Sequence, residues 1–208
     1  MISWIRSQEI YLYFKVIDLK QKMRVIGIDD APFDFDDDEV LVVGSIVRAP
    51  NYLEGILSTS VEVDGNDATD RLIDMIDNSR FSDQPYLIMT DGAALGGFNL
   101  IDLERLWKET DIPAVSISRD EPDFEDIKKA MKKHLPDWKK RYEGISTGRI
   151  YKVKTEHKPI YVQVEGIDIQ EAERIIKLFT IRGRIPEPLR MSHIIASGIV
   201  KGESKGKP

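Results

Sequence analysis

Short apolar, β-branched runs alternate with acidic and glycine-containing turns through the first half of the chain. Residues 25–28 and 40–47 predict two strands, separated by an acidic loop that holds Asp34, Asp36, Asp37, Asp38 and Glu39. A third strand is predicted over 55–63, ending at the turn pair Asp64-Gly65. The period then changes. Leu72, Ile73 and Ile76 recur at helical spacing within 68–76, with Asn66 or Asp67 placed to cap the segment. A strand over 86–89, an amphipathic helix over 100–109 and a strand over 114–117 follow. This order, three strands and then helix, strand, helix, strand, predicts an α/β fold: a mixed sheet flanked by helices. Further on, the pattern predicts helices over 123–134 and 170–181 and strands over 151–154 and 160–164, with a helix around His193.

Composition narrows the chemistry. The 208 residues include no cysteine, which excludes disulfides, a thiol nucleophile, zinc ribbons and iron–sulfur clusters, and fits a reducing cytoplasm. Any metal must therefore sit on carboxylates or histidines. The longest apolar run, 10–19, is interrupted by Lys15 and Asp18 and is too short to span a bilayer, so a soluble, cytoplasmic protein without membrane contact is expected. Residues 1–22 read as an extension upstream of Met23, residues 23–200 as one domain and 201–208 as a flexible tail. The net charge of −6 argues against diffuse attraction to nucleic acid, yet 128–158 carries eleven Lys and Arg against three acids, a local basic face.

Carboxylates recur at the predicted strand ends: Asp29 and Asp30 after the first strand, Glu62 and Asp64 after the third, Asp91 after the fourth. Each alone is an ordinary turn or cap residue. As a set they repel one another unless a hard divalent cation, Mg²⁺ or Mn²⁺, neutralises them, the arrangement used in metal-assisted phosphodiester hydrolysis. Residues 92–97, rich in glycine, lack the Lys-Ser/Thr of a phosphate-binding loop and read as a turn. Gly144-Ile145-Ser146-Thr147-Gly148 has the spacing of a hydrolase nucleophile elbow without the strand–turn–helix context and reads as a loop. His134 and His157 read as exposed, and His193 has no assigned role on pattern alone.

The stretch Met23-Arg-Val-Ile-Gly-Ile-Asp-Asp30, the segment 55–65 and Thr90-Asp91-Gly92 resemble the archaeal endonuclease dU family, a relative of endonuclease V. The resemblance runs from about 23 to 201. It implies a ribonuclease H-like fold and Mg²⁺- or Mn²⁺-dependent cleavage of DNA containing deaminated bases, uracil above all, in repair. It implies Asp29 and Asp91 as metal ligands, with Glu62 as the third catalytic carboxylate and Asp30, Asp64 and Asp67 as competitors for that place. Tyr52, with Glu54 at the relative's proline, resembles a wedge residue, and Arg119 occupies the place of a lysine that would contact the scissile phosphate. Residues 184–193 are similar to a C-terminal motif in which the histidine lies near the metal, which makes His193 a catalytic candidate. Lys139, Lys140, Arg141 and Arg190 are expected to contact nucleic acid. The alternatives are an inosine- or structure-directed nuclease acting on DNA or RNA, and a non-catalytic nucleic-acid or nucleotide-binding module.

Overall fold

The computed structural model describes residues 22–146 and 148–204, so the expected extension, apart from Lys22, and the end of the expected tail lie outside the described residues. Strand β1 (Arg24–Asp30) is buried on both faces, as its unbroken Val25-Ile26-Gly27-Ile28 run requires of a central strand. It pairs antiparallel with β2 (Glu39–Arg48), which pairs antiparallel with β3 (Tyr52–Glu62) at the sheet edge. On the other side of β1 lies β4 (Leu87–Asp91), parallel to it, and then β7 (Ala114–Ser118), parallel to β4. Antiparallel β9 (Ile160–Glu165) and β8 (Tyr151–Val153) complete a seven-stranded sheet in the order β3-β2-β1-β4-β7-β9-β8. A small hairpin, β5 (Ala94–Leu95) with β6 (Asn99–Leu100), follows β4.

Alternation along the strands divides the core between the two faces. Ile26, Ile28 and Ile88 pack with Leu72 and Ile76 of α1 (Ala68–Asp77) and Leu106 of α2 (Leu103–Thr110). Val25, Leu87, Met89 and Ile117 face Ile175 and Phe179 of α5 (Ile169–Phe179) and Leu189 of α6 (Glu187–Lys201). Helices α3 (Phe124–His134) and α4 (Trp138–Ser146) pack together beyond β7. The expected mixed sheet flanked by helices is therefore present, with two local differences. Residues 144–146 continue α4 instead of forming a loop. The helix expected from 100 begins at Leu103, because Asn99 and Leu100 are drawn into the β5–β6 hairpin and Asp102 caps the helix by accepting from Arg105 N.

Helix α6 sits directly on β1. A Cβ at Gly27 would lie 2.2 Å from the carbonyl carbon of Pro188, so only glycine permits this approach. Ser192 Oγ donates to Gly27 O at 2.7 Å and accepts from Ser45 N at 3.1 Å, while Ser45 Oγ donates to Pro188 O at 2.6 Å. These buried bonds set the rotation and depth of α6, and hence the position of its next residue, His193.

Candidate active site

Ile28 pairs with Thr90 across the parallel β1–β4 ladder, which places Asp29 level with Asp91 on neighbouring strands. Both follow the alternation that sends Val25, Leu87 and Met89 toward α5 and α6. Asp29 is buried, 4% exposed, and its Oδ2 lies 2.9 Å from His193 Nδ1. Arg119, just beyond β7, donates from Nη1 to Asp91 Oδ2 at 2.9 Å, and its own carbonyl accepts from Arg184 Nη1 at 2.6 Å. Among the described residues the buried Nε of Arg119 has no hydrogen-bond partner, an unused donor beside the acids.

Electrostatics mark the same spot. Burial pushes the Asp29 carboxyl up to about 6; the bond to His193 opposes that rise, and the neighbouring charges of Asp91 and Asp30 add to it. The hydrogen bond to Asp29 raises the His193 imidazole above its ordinary value against the opposing effect of burial. Burial likewise raises Asp30. Like charges kept this close under burial fit a divalent cation. The donor set, two carboxylates on adjacent strand ends, is the kind Mg²⁺ accepts when waters and phosphate oxygens complete its shell. Among the described residues no three His, Asp or Glu side chains converge on one ion position. Immediately after Asp91, Gly92 adopts φ +83° with no atom of a described residue other than its chain neighbours within 4 Å of where a Cβ would be. Ala93 and Ala94 then line a cavity of about 260 Å³ on the opposite face of β7, between Phe98, Phe124, Ser116 and Gln163.

The family model described as endonuclease dU matches residues 21–200. The chain belongs to the endonuclease dU family. Among relatives, a UPF0215 protein of Methanothermobacter thermautotrophicus is 45% identical over 190 residues, covering 90% of this chain and 93% of the relative. A solved protein of unknown function from Archaeoglobus fulgidus superposes with TM-score 0.77 at 40% identity, over 86% of this chain and 99% of that one. Human endonuclease V shares the fold at TM-score 0.57 and 18% identity, over 86% and 85%. So does Ciona intestinalis endonuclease V, solved with DNA containing an inosine, at TM-score 0.53 and 14% identity, over 82% of each chain. The family is described as one of endonucleases, and the endonuclease V-like fold accords with the sheet described above.

In this endonuclease dU chain the remaining candidate acids fasten the loop that follows Asp91. Asp30 Oδ2 accepts from Gly96 N at 2.6 Å, Asp64 Oδ1 from Phe98 N at 2.8 Å and Asp67 Oδ1 from Asn99 Nδ2 at 2.6 Å. Residues 92–97 are thus pinned, but they are more than the turn expected, since Ala94–Leu95 pair as β5; the Gly96 and Phe98 amides are already taken by carboxylates. Glu62 is not brought to Asp29. Through Val43, Asp29 is level with Ser58, and Glu62 lies four residues further along the edge strand, about 13 Å along the sheet. Tyr52 is level with Arg24 through Arg48, so it stands at the other end of the sheet from Asp29, with Arg48 over its ring. Arg141 is buried, donating to Asp137, Gly65 O and Phe98 O, which spends its guanidinium inside the protein. Arg190 pairs with buried Glu187 at 2.5 Å, whereas Lys139 and Lys140 are exposed on α4. Gly27, Ser45, Ser192 and Arg184 are the residues that pattern reading passed over. Gly27 lies within the 23–30 stretch and Arg184 and Ser192 within the 184–193 motif, but none was singled out there, and Ser45 carried no signal.

Proposed function

We propose that this chain is a divalent-metal-dependent endonuclease that hydrolyses a phosphodiester near a deaminated base in DNA, uracil being the favoured lesion, in DNA repair. The observation that carries the reading is the pairing of Asp29 and Asp91 at adjacent parallel strand ends, with His193 bonded to one and Arg119 to the other. Asp29 and Asp91 would hold Mg²⁺ or Mn²⁺, which supplies charge neutralisation and a water of lowered pKa. Arg119, paired with Asp91 and part-exposed, would offer its guanidinium to a phosphate oxygen, where charge develops as the bond breaks. His193, with Nδ1 engaged by Asp29, leaves Nε2 to hold or pass a proton at the departing oxygen. The Gly92 opening and the cavity behind it give room for a base turned out of the stack, with Phe98 and Phe124 as apolar walls.

The test is nicking of end-labelled duplexes carrying one uracil, one hypoxanthine or neither, with and without Mg²⁺, by wild type and Asp91→Ala. Uracil-dependent nicking that needs Mg²⁺ and disappears in Asp91→Ala supports the reading. Binding without cleavage of any substrate overturns it in favour of a non-catalytic module.

A further inference from the structure

A groove of about 790 Å³ opens between the β8–β9 turn and the turn that follows α5. Both turns stand at the catalytic end of the sheet, because Ser118 of β7 pairs with Tyr161 and Val153 of β8 pairs with Ile160. Val153 and Ile176 form an apolar floor continuous with the α5–α6 face that carries the acids. Lys154 and Arg182 rise from opposite walls, both exposed and without an ion pair to another described residue. Lys177 is held by Glu173 at 2.5 Å, and Glu156 is the carboxylate in the lining. One wall is fastened to the active site: two residues after Arg182, Arg184 donates to Arg119 O, and Arg119 to Asp91. From β4 to β9 is two strand spacings, about 10 Å, so the groove begins roughly three stacked nucleotides from Asp91.

We infer that this groove carries the backbone of the cleaved strand to one side of the cut, Lys154 and Arg182 each neutralising a phosphate. The inference rests on the nuclease reading above for its partner. Charge and continuity favour a polyanion: two cations without an ion pair to another described residue stand on the two walls of a groove, one wall of which is bonded through Arg184 and Arg119 to Asp91. The basic run expected from sequence lies elsewhere for the most part. Three of its six lysines on α3 and α4 stand over aromatic rings, Lys128 over Tyr142 and Lys132 and Lys139 over Trp138, and Lys129 pairs with Asp126.

The experiment is fluorescence anisotropy with labelled lesion-free oligonucleotides, single-stranded and duplex, in EDTA between about 50 and 200 mM salt. Wild type is compared with Lys154→Ala, Arg182→Ala, the double variant and a Lys139→Ala/Lys140→Ala control, each checked for an unchanged melting curve. Loss of each phosphate contact is expected to lower the slope of log K against log salt by about 0.7–0.9, and the double variant by about twice that. A double variant with the wild-type slope on both probes overturns the proposal, as does a wild type that binds neither probe, or a slope that falls only in the α4 control. Because no cleavage is involved, failure of the nicking assay would remove the nuclease reading and leave this result standing.

Discussion

Asp29 is a buried carboxylate beside two others, and a side chain in that position weakens the metal-free fold while serving the site. Asp29→Asn is therefore expected to raise the melting temperature of metal-free protein at neutral pH, by about 1 kcal/mol or a few degrees for a chain this long. Adding Mg²⁺ should stabilise wild type and leave the variant unmoved, since a ligand stabilises only the state that binds it. Thermal melts with and without Mg²⁺ check both outcomes, and a variant less stable than wild type would count against a strained acid pair. In the proposed reaction His193 would act through Nε2, its Nδ1 being engaged by Asp29. His193→Ala should lower single-turnover nicking by about 10–100-fold, with the loss in rate more than in oligonucleotide affinity. The residue types of this site were legible in sequence, since an Asp closing a strand is a local pattern. Which of Asp30, Glu62, Asp64 and Asp67 joined it was not. Asp30, Asp64 and Asp67 look alike in sequence, and what separates them from Asp29 is the amide each one meets.

Element by element, helix α6 and the loop after β4 are placed by small contacts with large consequences. Gly27→Ala would drive a methyl into the Pro188 backbone and should cost about 1–3 kcal/mol or more by overpacking, seen as a lower urea midpoint. Ser192→Ala would strip partners from Gly27 O and Ser45 N and should cost about 1–3 kcal/mol, with nicking reduced as His193 loses its setting. The loop is held in part by Asp67. Burial alone would raise that carboxyl, but hydrogen bonds from Asn99, Arg71 and the Glu62 amide outweigh it and hold it below its ordinary value. A carboxyl lowered in the folded state stabilises above its unfolded pKa and loses that contribution as pH falls through the folded value. The stability gap between wild type and Asp67→Asn should therefore be widest near pH 7 and close toward pH 3, as urea denaturation at the two pH values would show. Strand and helix types were readable because periods of two and 3.6 are local. The β5–β6 hairpin and the start of α2 were not, since Asn99 is drawn inward to serve Ala68 N, Glu62 O and Asp67.

For the whole molecule, register decides what meets. Tyr52 enters β3 level with Arg24, and at about 3.3 Å per residue it stands roughly 17 Å back along the sheet from Asp29. Tyr52→Ala is accordingly expected to leave lesion nicking within about threefold of wild type, and a loss as large as that of His193→Ala would show that DNA reaches both ends of the sheet. The run 52–58 resembles a relative's wedge segment in sequence, yet pairing with β2 determines where it lies. Likewise Arg141 belongs by composition to a basic face, but the fold turns its guanidinium inward to the carbonyls of Gly65 and Phe98. The absence of thiol chemistry, the strand and helix types, the acids at strand ends and the family were legible in the chain itself, because composition, period and motif are properties of neighbouring residues. The resemblance implied that Asp29, Asp91, Arg119 and His193 belong to one site, and the fold supplies the contacts: Asp29 beside Asp91, His193 on one and Arg119 on the other. Their meeting depends on the pairing of β1 with β4 and on hydrogen bonds between residues 147 and 165 positions apart, which no local pattern encodes.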